Sequence, residues 1–166
     1  MKISSQEEYG LRCLLQLARV PAGQLISVKD IAEKEGLSSA YVEKLLRLMS
    51  QADLVHSVRG IKGGYALNST PDKIVLSRVM RALGGVQTTD DICGSFTGHE
   101  SSCVHIENCG IRSVWTQLTA HIQDFLDNTS LASLLSDEGM VTKHRSFPTI
   151  IKIACDEEPV EEEGKA

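Results

Sequence analysis

The chain lacks the features of a membrane-bound or exported protein. No apolar run reaches the roughly 18 residues that a membrane-spanning helix needs. The segment that begins at Met1 also lacks the basic and then apolar pattern of a secretory signal. We therefore expect a cytoplasmic protein with no membrane partner, in which most of the five cysteines are reduced thiols.

Sequence motifs of the common enzyme classes are missing as well. The chain contains no nucleophile motif, no phosphate-binding glycine loop and no metal-hydrolase motif. An enzyme would also need a substrate cleft with a convergent acid or base. We therefore expect a protein that is not an enzyme and that has no small-molecule substrate.

The composition is that of a folded protein with an uneven charge distribution. With 42% hydrophobic and 23% charged residues, the 166-residue chain can bury a core of ordinary size. Its net charge is −5, but residues 1–81 hold 12 Lys and Arg against 8 Asp and Glu, whereas residues 82–166 hold 5 against 14. The basic amino-terminal half indicates a polyanionic partner.

Capping patterns and apolar spacing predict two helices in the first 36 residues. The first begins with a doubled capping box formed by Ser4, Ser5, Glu7 and Glu8. Apolar residues at helical spacing continue it to about Arg19. The second helix begins at Ser27, and Gly36 ends it.

A third predicted helix completes a helix-turn-helix. Ser38 or Ser39 caps it, and its apolar face carries Tyr41, Leu45, Leu48 and Met49. Two short helices joined by a tight turn place the second helix in the major groove of DNA. Helical hairpins are also common in proteins that do not bind DNA, so this pattern needs support from the segment that follows.

That segment is a predicted β-hairpin with cations at its tip. Residues 54–58 and 65–67 are β-prone, and the glycine-rich turn between them carries Arg59, Lys62 and Gly63. The two cations could reach phosphates or a narrow minor groove, and the glycines allow close backbone approach. The alternative is a solvated hairpin tip. We expect a mainly α protein with a small β-hairpin, a winged helix-turn-helix that binds double-stranded DNA.

Glu43 in the third helix is the candidate for base recognition. A carboxylate can accept a hydrogen bond from the exocyclic amine of cytosine. The alternative is an ion pair with Lys44 or Arg47 on an exposed helix face. We assign capping, phosphate contacts and packing to Ser38, Ser39 and Tyr41, and we include Lys44 in the DNA-binding set.

Three cysteines lie in one polar segment between helices. A helix-like stretch, 71–83, precedes the segment 84–110, which contains Cys93, Cys103 and Cys109. Three thiolates in a polar segment can hold an iron–sulfur cluster. Zinc is the main alternative, although the short cysteine pairs typical of structural zinc sites are absent, and a disulfide is a weaker one.

The segment 111–136 contains a long helix with an apolar stripe and then a short helix. The stripe is too apolar to remain in water. Pairing with the same helix of a second chain would bury it and relate two recognition helices by a twofold axis. Its residues are Ile111, Val114, Trp115, Leu118, Ile122, Phe125 and Leu126.

These patterns divide the chain into four parts. We expect a winged helix-turn-helix domain over 1–83, a cysteine-containing loop over 84–110 that is the candidate cluster-binding segment, and a dimerisation helix with a short helix over 111–136. The remainder, 137–166, has six acids in the eight residues 156–163, and we expect it to be a disordered tail.

Four stretches of the sequence resemble the Rrf2 family of bacterial transcription regulators. They read MKIS, YGL, GLSSAYVEKL and LVHSVRGIKGGYAL, and the similarity covers roughly residues 1–136. The resemblance implies a homodimeric winged-helix repressor or dual regulator that binds an operator with two half-sites. It also implies sensing through an iron–sulfur cluster, [2Fe–2S] or [4Fe–4S], held by Cys93, Cys103 and Cys109.

The resemblance further implies a fourth cluster ligand. Some family members use a carboxylate from the amino-terminal helix of the partner chain, and Glu8 occupies that position here. Others use a histidine three residues after the third cysteine, where this chain has Arg112. Glu8 could instead form an ion pair with Arg12. Loop residues are the remaining candidates: His99, His105 and Glu107.

A different class of function remains open at this point. An iron–sulfur electron carrier or redox protein would also use three cysteines, but it would have no use for the helix-turn-helix and the hairpin. Salt-dependent binding to duplex DNA separates the two functions.

Overall fold

The computed structural model describes residues 3–60, 63–85, 88–95, 97–99, 103–105 and 108–137. Its helices are α1 (Ser5–Ala18), α2 (Val28–Glu35), α3 (Ser39–Gln51), α4 (Leu76–Leu83), α5 (Thr89–Gly94), α6 (Arg112–Asp127) and α7 (Leu131–Asp137). A 3₁₀ helix covers Pro71–Lys73, and the strands are β1 (Val55–Val58) and β2 (Gly64–Leu67). The predicted fold class, mainly α with a β-hairpin, is confirmed. None of the described helices is long and apolar enough to cross a membrane.

The first helix begins with one capping box. The Ser4 hydroxyl accepts from the Glu7 N–H at 3.3 Å, and the Ser4 N–H donates to Glu7 Oε2 at 2.6 Å. The helix ends at Ala18, one residue before the predicted limit. Of the doubled pattern in the sequence, only the Ser4 and Glu7 pair forms the box.

The helices of the helix-turn-helix begin at the capping residues that the sequence analysis identifies. The Ser27 hydroxyl caps α2, and Gly36 ends that helix in the left-handed conformation at φ 66°. The Ser38 hydroxyl accepts from the Tyr41 N–H at 3.3 Å and caps α3. The buried face of α3 differs in part from the predicted one, because it is formed by Val42, Leu45, Leu46 and Met49.

The two-stranded hairpin also pairs with the segment just before α2. Val55 pairs with Leu67 and Val58 with Gly64 in antiparallel register. Tyr65 also exchanges two backbone hydrogen bonds with Ile26, at 2.9 and 3.0 Å. A Cβ on Gly64 would lie 2.5 Å from the Ile26 carbonyl oxygen, so only glycine allows this close pairing.

The prediction of one helical stretch over 71–83 is wrong. The 3₁₀ helix ends at Lys73, Ile74 and Val75 are extended, and α4 begins at Leu76. The extended pair has partners elsewhere in the chain: the Leu131 N–H donates to the Ile74 carbonyl at 2.8 Å, and Val75 forms a β-bridge with Ser130. These distant hydrogen bonds replace the helical ones.

The core lies between the helices of the helix-turn-helix, the hairpin and α4. It also includes Leu131 of α7, which is fully buried and packs in the same cluster as residues from α1, α3 and α4. Close contact between α1 and α4 is possible because Gly10 has no side chain: a Cβ there would lie 2.4 Å from Leu83 Cδ2. The chain therefore leaves the winged-helix core after α4 and returns to it at α7.

Candidate nucleic-acid interface and cysteine site

The solvent-exposed side of α3 presents a polar, partly basic surface. Ser39, Ala40, Glu43, Lys44 and Arg47 are all exposed, whereas the opposite side of the helix is buried in the core. Because the core holds α3 from one side only, this surface is open along its length. It is the surface that a helix-turn-helix inserts into the major groove.

The structure decides the local role of two of the predicted DNA-binding residues in this region. Tyr41 is half-buried, and its ring makes an edge-on contact with Tyr9 of α1 at a centroid distance of 6.3 Å. Within the described residues, Glu43 forms no ion pair with Lys44 or Arg47. The ion-pair alternative for Glu43 is therefore absent from the described structure, and Tyr41 serves packing.

The hairpin tip is shaped by glycines. Arg59 is exposed there, and Lys62 lies outside the described residues. The Gly63 N–H donates to the Gly60 carbonyl at 2.9 Å, and Gly60 has φ 126°. A Cβ on Gly63 would lie 2.3 Å from the Val58 carbonyl oxygen. Gly63 therefore has a structural role in the turn.

A polar network that the sequence did not reveal fixes the hairpin against α3. Arg78 of α4 donates to the Ala52 carbonyl at 2.9 Å and the Asp53 carbonyl at 3.1 Å, at the carboxyl end of α3. Asn68 donates to Asp53 Oδ1 at 2.6 Å, and His56 Nδ1 of β1 lies 2.6 Å from Asn68 Oδ1. The contacts join residues that are 12 to 26 positions apart, so no local sequence pattern predicts them.

The cysteine segment contains a short helix that the sequence analysis missed. Thr88 and Asp91 form a capping box at the start of α5, with the Thr88 N–H donating to Asp91 Oδ2 at 2.8 Å. These hydrogen bonds lower the pKa of Asp91. Thr89 Oγ1 lies 3.2 Å from Thr119 Oγ1 and ties α5 to α6. The spacing of Thr88 and Asp91 was the available signal.

Two of the three loop cysteines lie near the same cation. Cys93 lies in α5, Cys109 precedes α6, and Arg112 lies in the first turn of α6. The side chain of Cys93 raises the pKa of Arg112, and Cys109 and Asp90 add smaller contributions in the same direction. The Arg112 Nε is buried and has no hydrogen-bond partner among the described residues. The guanidinium therefore stands where both thiols can interact with it.

The described residues do not assemble a complete set of cluster ligands. Cys103 is half-buried, and no group of three or more His, Cys, Asp or Glu in the described ranges is placed to hold a metal ion. His99 and His105 are exposed, and Glu107 lies outside the described residues. The structure thus brings Cys93 and Cys109 to Arg112 but does not add Cys103 to them.

The other predicted ligand, Glu8, lies on the exposed side of α1. Its Oε1 forms an ion pair with Arg12 at 2.9 Å, and about half of each side chain is exposed. The Arg12 guanidinium also lies 5.8 Å from the centre of the Tyr9 ring. The ion pair that the spacing allowed is therefore present within the single chain.

The apolar stripe of α6 is largely exposed in the single chain. Ile111 is 63% exposed, Leu118 45% and Phe125 66%, whereas Leu126 is buried against the rest of the fold. Val114 and Trp115 are exposed on the same side. Exposed apolar area of this kind marks an interaction surface.

Comparison with known proteins agrees with this architecture. The family model described as "Rrf2: Iron-dependent Transcriptional regulator" matches residues 3–137. The chain belongs to the Rrf2 family. Its relatives include Protein rrf2 of Nitratidesulfovibrio vulgaris strain Hildenborough, 30% identical over 144 residues, which cover 87% of this chain and 93% of the relative.

Solved Rrf2-type structures show the same fold. CymR, described as the global cysteine regulator of B. subtilis, has a TM-score of 0.67 at 32% identity and covers 82% of this chain and 97% of its own. IscR of T. potens has a TM-score of 0.65 at 32% identity and covers 83% and 88%. Because the relatives are named as transcription regulators, the prediction that this Rrf2 protein is not an enzyme is confirmed.

Proposed function

We propose that this Rrf2 protein is a cytoplasmic repressor that binds, as a homodimer, an operator with two half-sites and adjusts its DNA affinity through an iron–sulfur cluster. The observation that carries the DNA-binding part is the open surface of α3 beside the hairpin that bears Arg59. A recognition helix and a basic hairpin on one side of a compact core can contact base edges and phosphates together.

The exposed stripe on α6 supports the homodimer. Its apolar side chains span four turns, from Ile111 to Phe125, and a second copy of the helix offers the same stripe. A twofold arrangement would present two copies of α3 to adjacent half-sites.

The DNA contacts are tested with duplexes selected from a random pool. Replacing Arg59 and Lys62 with Ala should weaken binding to every duplex and reduce the slope of log affinity against log salt by about 2, since each cation releases about one counterion. Glu43→Ala should instead reduce the preference for matched over mismatched sites by about tenfold, with the salt slope unchanged. Equal losses on matched and mismatched duplexes in both variants would contradict this division of roles.

The cluster is the second part of the proposal. Cys93, Cys103 and Cys109 would hold it, with Glu8 of the partner chain as the fourth ligand. Two observations support this cluster. Cys93 and Cys109 both lie near Arg112, and the family is described as iron-dependent. Cys103 must join the other two, and the Glu8–Arg12 ion pair must open, for this set to form.

Anaerobic purification followed by iron and sulfide analysis with visible absorbance tests the cluster. We expect iron and sulfide in equal amounts, and near-zero iron would favour regulation by the thiols alone. Glu8→Ala should change the absorbance spectrum or shorten the lifetime of the cluster in air, whereas Arg12→Ala, which removes only the other half of the ion pair, should leave both unchanged. An unaltered spectrum and lifetime in Glu8→Ala would transfer the fourth position to the loop histidines.

A further inference from the structure

Three exposed cations on the proposed DNA-binding side have no acidic partner in the described part of the chain. Lys44 and Arg47 lie on α3, and Arg59 lies at the hairpin tip. Among the other described cations, Arg12, Lys29 and Arg78 have carboxylate partners, whereas the exposed Lys34 on α2 forms no such ion pair. We refer to Lys44, Arg47 and Arg59 as the basic face, which can receive an anionic partner.

The same chain carries an anionic segment that matches this face in charge. Residues 156–163 contain six carboxylates and no cation, and we refer to them as the acidic block. The block lies outside the described residues, which end at Asp137. A run of carboxylates offers a row of hydrogen-bond acceptors to Lys and Arg, as a phosphate backbone does.

The length of chain before the acidic block is sufficient for it to reach the basic face. Eighteen residues separate Asp137 from Asp156, and at about 3.3 Å per residue they can span about 60 Å. α7 packs against α1, and α1 packs against α3. With interaxial distances of 8 to 10 Å for packed helices, α3 lies about 20 Å from α7, well within this span.

We propose that the acidic block docks on the basic face of its own chain and competes with DNA there. The inference rests on the proposed DNA-binding function. A ligand attached through a short segment has a high effective concentration, so individually weak ion pairs can hold the block in place. Duplex DNA displaces it, and the protein favours duplexes that bind tightly enough to do so.

The test uses the full chain with the six carboxylates of the acidic block replaced by amides, Asp156→Asn with Glu157, Glu158, Glu161, Glu162 and Glu163→Gln. Anisotropy of a labelled random-sequence duplex should show roughly tenfold tighter binding than wild type at about 50 mM salt, and the difference should shrink at about 200 mM salt. The control variant Asp72→Asn with Asp124→Asn removes exposed carboxylates elsewhere and should change affinity less than about twofold.

The outcomes separate the two proposals. If neither wild type nor variant shows salt-dependent binding to any duplex, the proposed function fails. If wild type and the acidic-block variant bind DNA with equal affinity, DNA binding stands and docking is overturned. The same conclusion follows if the control variant gains as much affinity per carboxylate removed as the acidic-block variant does.

A direct measurement of proximity completes the test. A carbodiimide joins a carboxylate to a lysine that lies against it, so mass spectrometry should find Lys44 linked to the acidic block, and duplex DNA should abolish this link. Links from the acidic block only to Lys143 or Lys152, which are nearer in sequence, would overturn the proposal.

Discussion

Cys13 lies in surroundings unlike those of the loop cysteines. It is fully buried in the core cluster, and burial together with the nearby charge of Glu35 raises its pKa from 9.0 to about 12. The Gln16 amide donates a hydrogen bond to the same Glu35 carboxylate and so fixes the position of that side chain. The thiol is therefore neutral at physiological pH and acts as a small apolar side chain.

Alkylation of the folded protein without its proposed cluster checks this interpretation. At about pH 8.5 a free cysteine is partly ionised, whereas Cys13 remains protonated because its pKa is raised. Iodoacetamide should therefore modify Cys13 at least about a hundredfold more slowly than the half-buried Cys103. In denaturant the two rates should become similar. Comparable native rates, measured by mass spectrometry, would show that Cys13 is accessible and ionised.

The hairpin depends on one close backbone approach. A side chain at position 64 would clash with the backbone atoms of Ile26, because Gly64 lies close to them. Those atoms cannot move without breaking the Ile26–Tyr65 pairing. We expect Gly64→Ala to lower the free energy of unfolding by about 1 to 3 kcal/mol, as other overpacked substitutions do. Gly94→Ala at the end of α5 is the control, because nothing lies within 4 Å of its Cβ position. Equal stability of the two variants in urea would contradict this account.

The elements that the sequence predicted well are those with local signals. Ser4, Ser27 and Ser38 each cap a helix through a hydrogen bond to a residue three positions on, which a pattern search can find. The extended pair at 74–75 follows from hydrogen bonds to residues 130–131, more than 50 positions away, and local propensity gives no hint of it.

The sequence predicted which cysteines belong to the candidate site but not how they are arranged in space. The sequence identified Cys93, Cys103 and Cys109 as one group, and it identified Arg112 only as the residue at the position where some family members have a histidine ligand. In the fold, α5 docks on α6 and brings Cys93 to the guanidinium of Arg112. That contact depends on tertiary packing between two helices, and spacing in the sequence does not encode it.

For the molecule as a whole, the exposed stripe of α6 is the surface proposed to hold two chains together. Leu118→Glu should place a charge in the proposed helix pairing, where it has no partner, and should convert a dimer into a monomer at micromolar concentration. The fold of the chain should survive, since Leu118 is 45% exposed before pairing. Gln117→Glu adds the same charge to an exposed neighbouring position and should remain dimeric. Sedimentation that shows an intact dimer for Leu118→Glu would move the interface elsewhere.

The return of the chain to the core at Leu131 affects the order in which the protein is completed during synthesis. A nascent chain that ends before α7 leaves the Ile74 carbonyl without its partner and the site of Leu131 empty. The winged-helix unit therefore reaches its full stability only after α6 and the three loop cysteines have left the ribosome. The thiols are exposed to the cell before the DNA-binding unit is finished, so they can react or bind a metal while the regulator is still being made.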